Sequence, residues 1–330
     1  LSAIREASHY QVTVKGGKYL EAMSEADTIV FDKTGTLTKG EFKVSDLLPV
    51  NGSKEELLEL AAHVEGYSNH PIANSVREAY GKELDMNRVT GTEEIAGHGI
   101  HTFVDGKEVW LGNAKMMAAR NISYTENSSA GTVIYVAVDG AFAGTIVISD
   151  SIKEGVKEAI HSMKKLGVKK CVMLTGDRKA AAQAVADELG LDEVHAELLP
   201  GDKVSEVEAL LKEQHEKEKL AFVGDGINDA PVLTRADIGI AMGSMGSDAA
   251  IEAADIVLMD DDVTKIASVV RIARKTLRIV KQNIVFALAI KALVLILGAL
   301  GMANMWEAVF ADVGVSVIAI LNSMRTLQEK

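Results

Sequence analysis

Apolar residues occur along this chain in three patterns, and each pattern predicts a different kind of element. Short apolar runs that end in threonine, glycine or aspartate predict buried strands at Thr28 to Phe31, Lys170 to Leu174 and Leu220 to Val223. Two helical segments, at 178–189 and 203–213, lie between the second and the third of these runs. Because strands that alternate with helices form parallel sheets covered on both faces, these parts predict a doubly wound α/β domain.

A second pattern, at about 45–140, consists of strand-like segments separated by turn residues. They are Gly99 to Val104, Glu108 to Leu111 and Thr132 to Val138, the last followed by the turn dipeptide Asp139-Gly140. This block predicts an α+β domain with an antiparallel sheet. It interrupts the α/β domain after its first strand, which joins the parallel sheet across the insertion.

The third pattern is a pair of long apolar segments near the carboxyl end. Positions 284–303 are 20 residues with a single charge, Lys291, and positions 306–324 carry only Glu307 and Asp312. Each segment is long enough to cross a bilayer. Basic residues before the first segment and after the second predict a transmembrane hairpin with both ends in the cytoplasm. The alternative is a buried helical hairpin of a soluble protein.

Composition narrows the function classes. The 330 residues carry a net charge of -12 and no long basic tract, which argues against a nucleic-acid partner. The single cysteine, Cys171, lies in an apolar run, so a disulfide framework and a CxxC metal site are excluded.

Asp32 is the candidate catalytic nucleophile, because it ends the first predicted strand within the run FDKTGTLTKG. Ligands of open α/β sheets bind outside the carboxyl ends of the strands. A carboxylate placed there can accept a phosphoryl group and form an aspartyl-phosphate. Lys33, Thr34 and Thr36 add a cation and hydroxyls, and Gly35 allows the backbone to approach an anion.

The residues DKTGTLT resemble the signature of P-type ATPases, a branch of the haloacid dehalogenase superfamily. Soluble phosphatases of that superfamily carry a second aspartate two residues after the nucleophile, where this chain has Thr34. A threonine cannot transfer protons near neutral pH, so we expect the phosphoenzyme to persist.

Other motifs extend this resemblance, and it assigns roles to their residues. Thr175, Gly176 and Asp177 match the TGD element that contacts nucleotide and phosphate, and Lys203 matches the lysine that neutralises the phosphoryl charge. The run GDGINDAP places Asp225 at a Mg²⁺ ion together with Asp32 and the backbone carbonyl of Thr34. Within the same run the resemblance assigns the phosphate and hinge region to Asn228 and Asp229.

The inserted block resembles the nucleotide-binding domain of the heavy-metal branch. The resemblance implies that Glu65 and His70 contact adenine and that Gly97 and Gly99 admit the ligand to the backbone, with Asn113 in the matching GN element. Asn69 stands where the family usually has glutamate, which leaves the role of that position open.

Lys291 and Asp312 are charges inside the predicted membrane segments, where a charge costs about 3 kcal/mol or more. Counted from the cytoplasmic ends, they lie about 10 Å and about 18 Å deep, so they can pair. Their pattern resembles that of the zinc, cadmium and lead exporters, in which the aspartate helps to bind the metal and the lysine is a counter-charge. A purely structural salt bridge is the alternative.

Taken together, the chain resembles the carboxyl-terminal part of a heavy-metal P-type ATPase. The resemblance implies Mg²⁺ and ATP as cofactors, a zinc, cadmium or lead ion as transported partner, and a multi-pass cell-membrane protein with cytoplasmic catalytic domains. The actuator loop and the upstream transmembrane helices of the family do not occur in this sequence. We therefore expect a truncated catalytic part.

These interpretations divide the chain into four predicted parts. Positions 1–22 are a linker from an upstream membrane helix, 23–44 and 141–265 the phosphorylation domain, 45–140 the nucleotide-binding domain, and 266–330 the transmembrane helix pair. Two other functions remain open: a soluble phosphohydrolase of the superfamily, and a non-catalytic nucleotide-binding module.

Overall fold

The computed structural model describes residues 2–129, 131–199, 201–226, 229–244, 247–302 and 304–327. The chain forms two compact units. The first comprises Leu1–Leu37, Glu154–Gly176 and Glu188–Lys330, and the second comprises Thr38–Lys153 and Asp177–Asp187.

The first unit is built on a seven-stranded sheet with the order β1-β13-β12-β11-β2-β9-β10. Every pair of neighbours in this sheet is parallel except β1 and β13, which are antiparallel. The strands are β1 Val12–Val14, β2 Ala26–Asp32, β9 Lys170–Leu174, β10 Glu193–His195, β11 Lys219–Gly224, β12 Ile238–Met242 and β13 Ile256–Leu258.

Helices cover this sheet because its central strands are apolar on both faces. The large apolar side chains of β2 and β11, such as Phe31 and Phe222, are fully buried. The helices of this unit are α1 Ser2–His9, α2 Gly17–Ser24, α6 Val156–Lys165, α8 Asp202–Lys212, α9 Ala230–Arg235 and α10 Asp248–Ala253. Most of α7, Lys179–Leu189, belongs by its contacts to the second unit.

The second unit is built on a six-stranded antiparallel sheet with the order β3-β8-β7-β6-β5-β4. Its strands are β3 Thr38–Pro49, β4 Val89–Ile95, β5 Gly99–Val104, β6 Lys107–Gly112, β7 Thr132–Val138 and β8 Ala141–Ile152. Helices α3 Lys54–Val64 and α4 Pro71–Tyr80 pack against an apolar cluster that includes Ile100, Val109 and Ile146. The short helix α5 Ala114–Ala119 belongs to a second cluster around Trp110.

Two long helices follow the first unit's sheet. Helix α11 runs from Lys265–Ala299 without interruption, and α12 runs from Met305–Ser323. The residues of α11 up to Ile279 include a buried face, whereas from Ile284 onward none of its apolar side chains is buried and most are exposed. Both helices contain a segment that is long and apolar enough to cross a membrane.

The predicted fold class is confirmed: an α/β parallel sheet, an inserted α+β unit and a carboxyl-terminal pair of membrane helices. The structure differs from the predicted intervals in three places. Within 1–22, the residues of β1 pair with β13 instead of forming only a linker. The inserted sheet reaches from Thr38 to Ile152, beyond 45–140, because β3 and β8 pair along their length. Helix α11 begins 19 residues before the predicted span at 284, since the first part of the same helix packs on helices α1, α2 and α6 of the first unit.

Helix α3 offers a clean test of local stability in the second unit. The hydroxyl of Ser53 accepts a hydrogen bond from the backbone N–H of Glu56, while the Glu56 carboxylate accepts one from the backbone N–H of Ser53. We expect Ser53→Ala to lower the free energy of unfolding of this unit by about 1 kcal/mol, and Ser53→Gly by only a few tenths. Urea denaturation followed by Trp110 fluorescence, in a Trp306→Phe background, measures both. Equal losses for the two variants would contradict a capping role for this hydroxyl.

Candidate functional site

The site in the first unit lies where three neighbouring parallel strands end together. Asp32, the last residue of β2, is level with Leu174 of β9, and Phe31 is level with Val223 of β11. Thr175 and Asp225 therefore follow their strands on either side of Asp32. The register of the sheet alone brings these predicted site residues to one edge.

Lys203 connects two buried carboxylates at this edge. Its Nζ lies 2.7 Å from Oδ1 of Asp32 and 2.9 Å from Oδ1 of Asp229. Asp32 is 7% exposed and Asp229 is 1% exposed. Lys203 reaches them from the first turn of α8, and Asp229 directly precedes α9. The second carboxylate oxygen of Asp229 accepts a hydrogen bond from the backbone N–H of Gly226 at 3.3 Å.

The electrostatics of the cluster show an excess of negative charge. Burial is the largest influence on Asp32; together with repulsion from Asp229 it raises the pKa of Asp32 to about 7, although Lys203 opposes this rise. Burial would lower the pKa of Lys203, but Asp32 and Asp229 outweigh it and hold that pKa above its ordinary value. Lys203 therefore stays charged at neutral pH.

The loop after β2 folds closely around Asp225. Gly35 has φ +77°, and a Cβ at this position would collide with the Asp225 carboxylate. Only glycine fits this close approach without strain. Thr34 has extended backbone angles and is exposed, and Lys33 is partly buried. Thr36 is fully buried, and its hydroxyl has no hydrogen-bond partner among the described residues.

Asp32, Asp225 and Asp229 form the candidate cation site. One carboxylate oxygen from each lies within 4.8 Å of the others. Carboxylate oxygens are the ligands that Mg²⁺ prefers, and a cation here would offset the repulsion that raises the pKa of Asp32. The residues present thus fit a hard divalent cation.

The remaining predicted residues of this unit differ in placement. Thr175 is 3% exposed, donates its backbone N–H to the His195 carbonyl and accepts from the N–H of Leu198, while Gly176 is exposed. Asp177 belongs to the second compact unit by its contacts. Asn228 lies outside the described residues.

In the second unit, Asn113 joins the glycine turn between β4 and β5 to the end of β6. Its side-chain N–H donates to the Gly97 carbonyl at 2.8 Å, and its backbone N–H donates to the His98 carbonyl at 2.9 Å. Gly97 has φ +71° and Gly99 has φ +146°. A Cβ at Gly99 would collide with the Leu111 carbonyl, so only glycine lets these strands approach so closely.

Glu65 and His70 both lie just before the first residue of α4, Pro71. Glu65 is 6% exposed; burial, with a smaller contribution from Glu94, raises its pKa to about 7 against the opposing charge of Arg77. His70 is exposed and caps α4, since its Nδ1 accepts a hydrogen bond from the Ile72 N–H at 3.3 Å.

Arg77 is an organising residue that the sequence motifs did not indicate. Its guanidinium donates to the carbonyls of Glu65 and Ser68, and so fixes the turn that carries Glu65. One sequence signal could have indicated it. Arg77 lies two helical turns after His70, so its long side chain can reach the residues at the start of α4.

The predicted membrane pair also comes together. Nζ of Lys291 in α11 lies 3.8 Å from Oδ1 of Asp312 in α12. Both residues line a cavity of about 370 Å³ between the two helices, bordered by apolar side chains such as Val294 and Val315. Toward the other end of the hairpin, Asn283 donates to the Ala319 carbonyl and accepts from Asn322.

Comparisons with known proteins agree with this geometry. A family model described as haloacid dehalogenase-like hydrolase matches residues 26–237. A cadmium, zinc and cobalt-transporting ATPase of Bacillus subtilis (strain 168) is 55% identical over 99% of this chain and 47% of its own length. A zinc-transporting ATPase of Synechocystis sp. is 53% identical over 97% of this chain and 44% of its own. The chain thus spans about half the length of the curated relatives it matches.

Solved structures show the same relationship. A crystal structure of a zinc-transporting PIB-type ATPase in the E2.Pi state matches 99% of this chain and 54% of that chain, with a TM-score of 0.83 and 38% identity. A catalytic CPx-ATPase domain, CopB-B, is matched over 98% of its length by 82% of this chain, with a TM-score of 0.58 and 30% identity. The chain therefore belongs to the haloacid dehalogenase-like hydrolase family and, within it, to the heavy-metal P-type ATPases.

Proposed function

We propose that this chain is the catalytic part of an ATP-driven exporter of a divalent heavy metal. The observation that carries the proposal is the buried ion cluster of Asp32, Lys203 and Asp229 at the end of β2. It combines a carboxylate nucleophile with a fixed cation, which is what phosphoryl transfer to an aspartate requires.

In the proposed reaction, an oxygen of Asp32 forms a bond to the γ-phosphorus of ATP. The bond from that phosphorus to the β–γ bridging oxygen breaks, and ADP leaves with the electron pair. Lys203, 2.7 Å from Asp32, stabilises the negative charge of the transferred group. Lys33, Thr34, Thr175, Gly176, Asp177, Asn228 and Asp229 are proposed to bind and orient the phosphate chain.

Asp32, Asp225 and the carbonyl of Thr34 are proposed to hold Mg²⁺, in keeping with the close approach of three carboxylates. The ion would neutralise phosphate charge and keep Asp32 ionised. The chain's own contribution is to fix these oxygens: Gly35 admits the Asp225 carboxylate against the loop that carries Thr34.

Thr34 determines the fate of the phosphoenzyme in this proposal. A soluble phosphohydrolase needs a proton-transferring group two residues after the nucleophile, and a threonine cannot fill that role. Slow hydrolysis of the aspartyl-phosphate leaves time for a conformational change. This residue favours an ion pump over the soluble phosphohydrolase.

The inserted unit is proposed to bind the nucleotide through Glu65, His70, Gly97, Gly99 and Asn113. The close packing at Gly99 and the hydrogen bonds of Asn113 support a rigid, open backbone surface for the base. The phosphorylation domain, predicted at 23–44 and 141–265, would then stop and resume at the borders of the inserted sheet, at about 37 and 154.

Lys291 and Asp312 are proposed to form part of the transport site, with Asp312 as a metal ligand and Lys291 as its counter-charge. Two observations support this role: the pair faces a cavity inside a membrane hairpin, and zinc or cadmium appears in the names of the relatives. Zinc, cadmium or lead would be the transported ion. A structural ion pair is the alternative, and a substitution of Asp312 separates the two.

The nucleophile is tested by Asp32→Asn. We expect acid-stable label from γ-³²P-ATP to disappear, because the amide is not a nucleophile for this reaction. Asp27→Asn is the matched control, since Asp27 lies at the opposite end of the same strand. Label that persists on the Asp32 variant would refute the assignment, and the absence of label on the wild-type chain would favour a nucleotide-binding module without turnover.

The inserted unit is tested by Gly99→Ala. We expect ATP to bind about 1–3 kcal/mol more weakly, since the new Cβ displaces the strand that borders the site. Acetyl phosphate needs no base-binding surface, so it should still label Asp32. Gly140→Ala is the control, because Gly140 also has a positive φ but a Cβ there would meet no neighbouring atom of the described residues within 4 Å. Equal loss of labelling from both phosphate donors would exclude this unit as the nucleotide site.

The transport site is tested by Asp312→Asn in a hybrid that joins this chain to the upstream half of the Bacillus subtilis relative. We expect zinc-stimulated ATP turnover to fall at least tenfold, because a neutral amide is a poor ligand for a divalent ion. Glu307→Gln, in the first turn of the same helix, is the control. If zinc stimulates ATP turnover of the Asp312 variant as strongly as that of the wild type, Lys291 and Asp312 form only a structural salt bridge.

A further inference from the structure

A groove lined by basic and apolar side chains runs along one face of α11, outside every site described above. Its volume is about 720 Å³. Arg274, Arg278 and Lys281, with Leu277 between them, line one end, and Val285, Phe286 and Ala289 line the other, with Gln282 at the transition. No carboxylate is among the lining residues that the structure describes. We propose that this groove binds an anionic phospholipid.

The order of the lining residues matches the order of groups in such a lipid. The change from cations to apolar side chains takes place within about one helical turn, between Lys281 and Val285. The apolar end points along the membrane segment, where Val285 is 67% exposed. A lipid phosphate at the basic end would therefore place its acyl chain against Val285 and Phe286.

The cations of the groove have room for an anionic partner. Arg278 and Lys281 are exposed, and the described residues provide neither with a hydrogen bond or an ion pair. Arg274 makes a long hydrogen bond of 3.4 Å to the Ala26 carbonyl, while its Nε has no partner within the described part of the chain. Because that Nε is buried, Arg278 and Lys281 are the cations that a phosphate can reach directly, and Arg274 adds positive charge at the same end of the groove.

Basic residues at the cytoplasmic end of a span can also serve only to set the orientation of the span in the membrane. That role would explain their presence but not their arrangement. The three basic residues follow one another at intervals of four and three along the helix, so they lie on one face. That face is continuous with the exposed apolar face of the same groove. Basic residues that only set the membrane orientation would not need to lie on the same helix face as the exposed apolar residues.

Competitive lipid binding to the whole chain in a neutral detergent micelle tests the proposal. Native mass spectrometry with equimolar phosphatidylglycerol and phosphatidylcholine gives the ratio of the two adducts. We expect a clear preference for phosphatidylglycerol, which Arg278→Gln/Lys281→Gln lowers about 25-fold at roughly fivefold for each basic residue. The matched control is Arg271→Gln/Lys275→Gln, which removes the same charge from the same helix outside the groove.

Several outcomes would overturn the proposal. Equal adduct formation by the two lipids would exclude selective binding, and an equal effect of the two double variants would reduce it to general electrostatics. Glycerol 1-phosphate tests the apolar end: if it competes as strongly as phosphatidylglycerol, the groove binds a soluble anion and not a lipid. In the hybrid with the upstream half of the Bacillus subtilis relative, loss of the phosphatidylglycerol preference would show that a protein segment covers the groove.

Discussion

Asp32 and Asp229 are buried carboxylates whose mutual repulsion is partly offset by the Lys203 ammonium between them. Removing two carboxylates from water is costly unless a cation accompanies them. The geometry that satisfies this constraint comes from three separate elements: the end of β2, the first turn of α8 and the residue before α9. The parallel sheet is what brings these elements, distant in sequence, to one edge.

The pairing of β3 with β8 explains how a large unit can be inserted directly after the nucleophile strand. The chain leaves through β3 and returns through β8, and Thr38 pairs with Ile152 at their ends. Entry and exit are therefore neighbours within one antiparallel pair. The inserted unit closes on itself and has its own apolar clusters, so the register of β2 with β9 and β11 is independent of it.

The sequence predicted the strands and motif residues around Asp32 because they are uninterrupted apolar runs that end in a distinctive loop. It could not predict that β1 joins the sheet: Val12–Val14 is only three residues long, and its pairing depends on the distant β13. The position of Lys203 was predicted by resemblance, but its contact with Asp229 needed the tertiary structure. Arg77 was missed for a similar reason, since its partners are backbone carbonyls that carry no sequence signal. The roles assigned to the nucleotide and transport residues stay predictions.

Helix α11 connects the first unit to the membrane segment as one continuous helix. Its 35 residues contain no proline, and residues near its start, such as Ile272 and Ala273, are buried while those near its end are exposed. From Ala273 to Ala299 the helix axis extends about 39 Å, so a rotation of about 10° at the packed end would move the other end by about 7 Å. A shift of about 1 Å at the helix surface that packs on α1, α2 and α6 thus becomes a displacement larger than an ion's diameter at the far end, with no change in the helix itself.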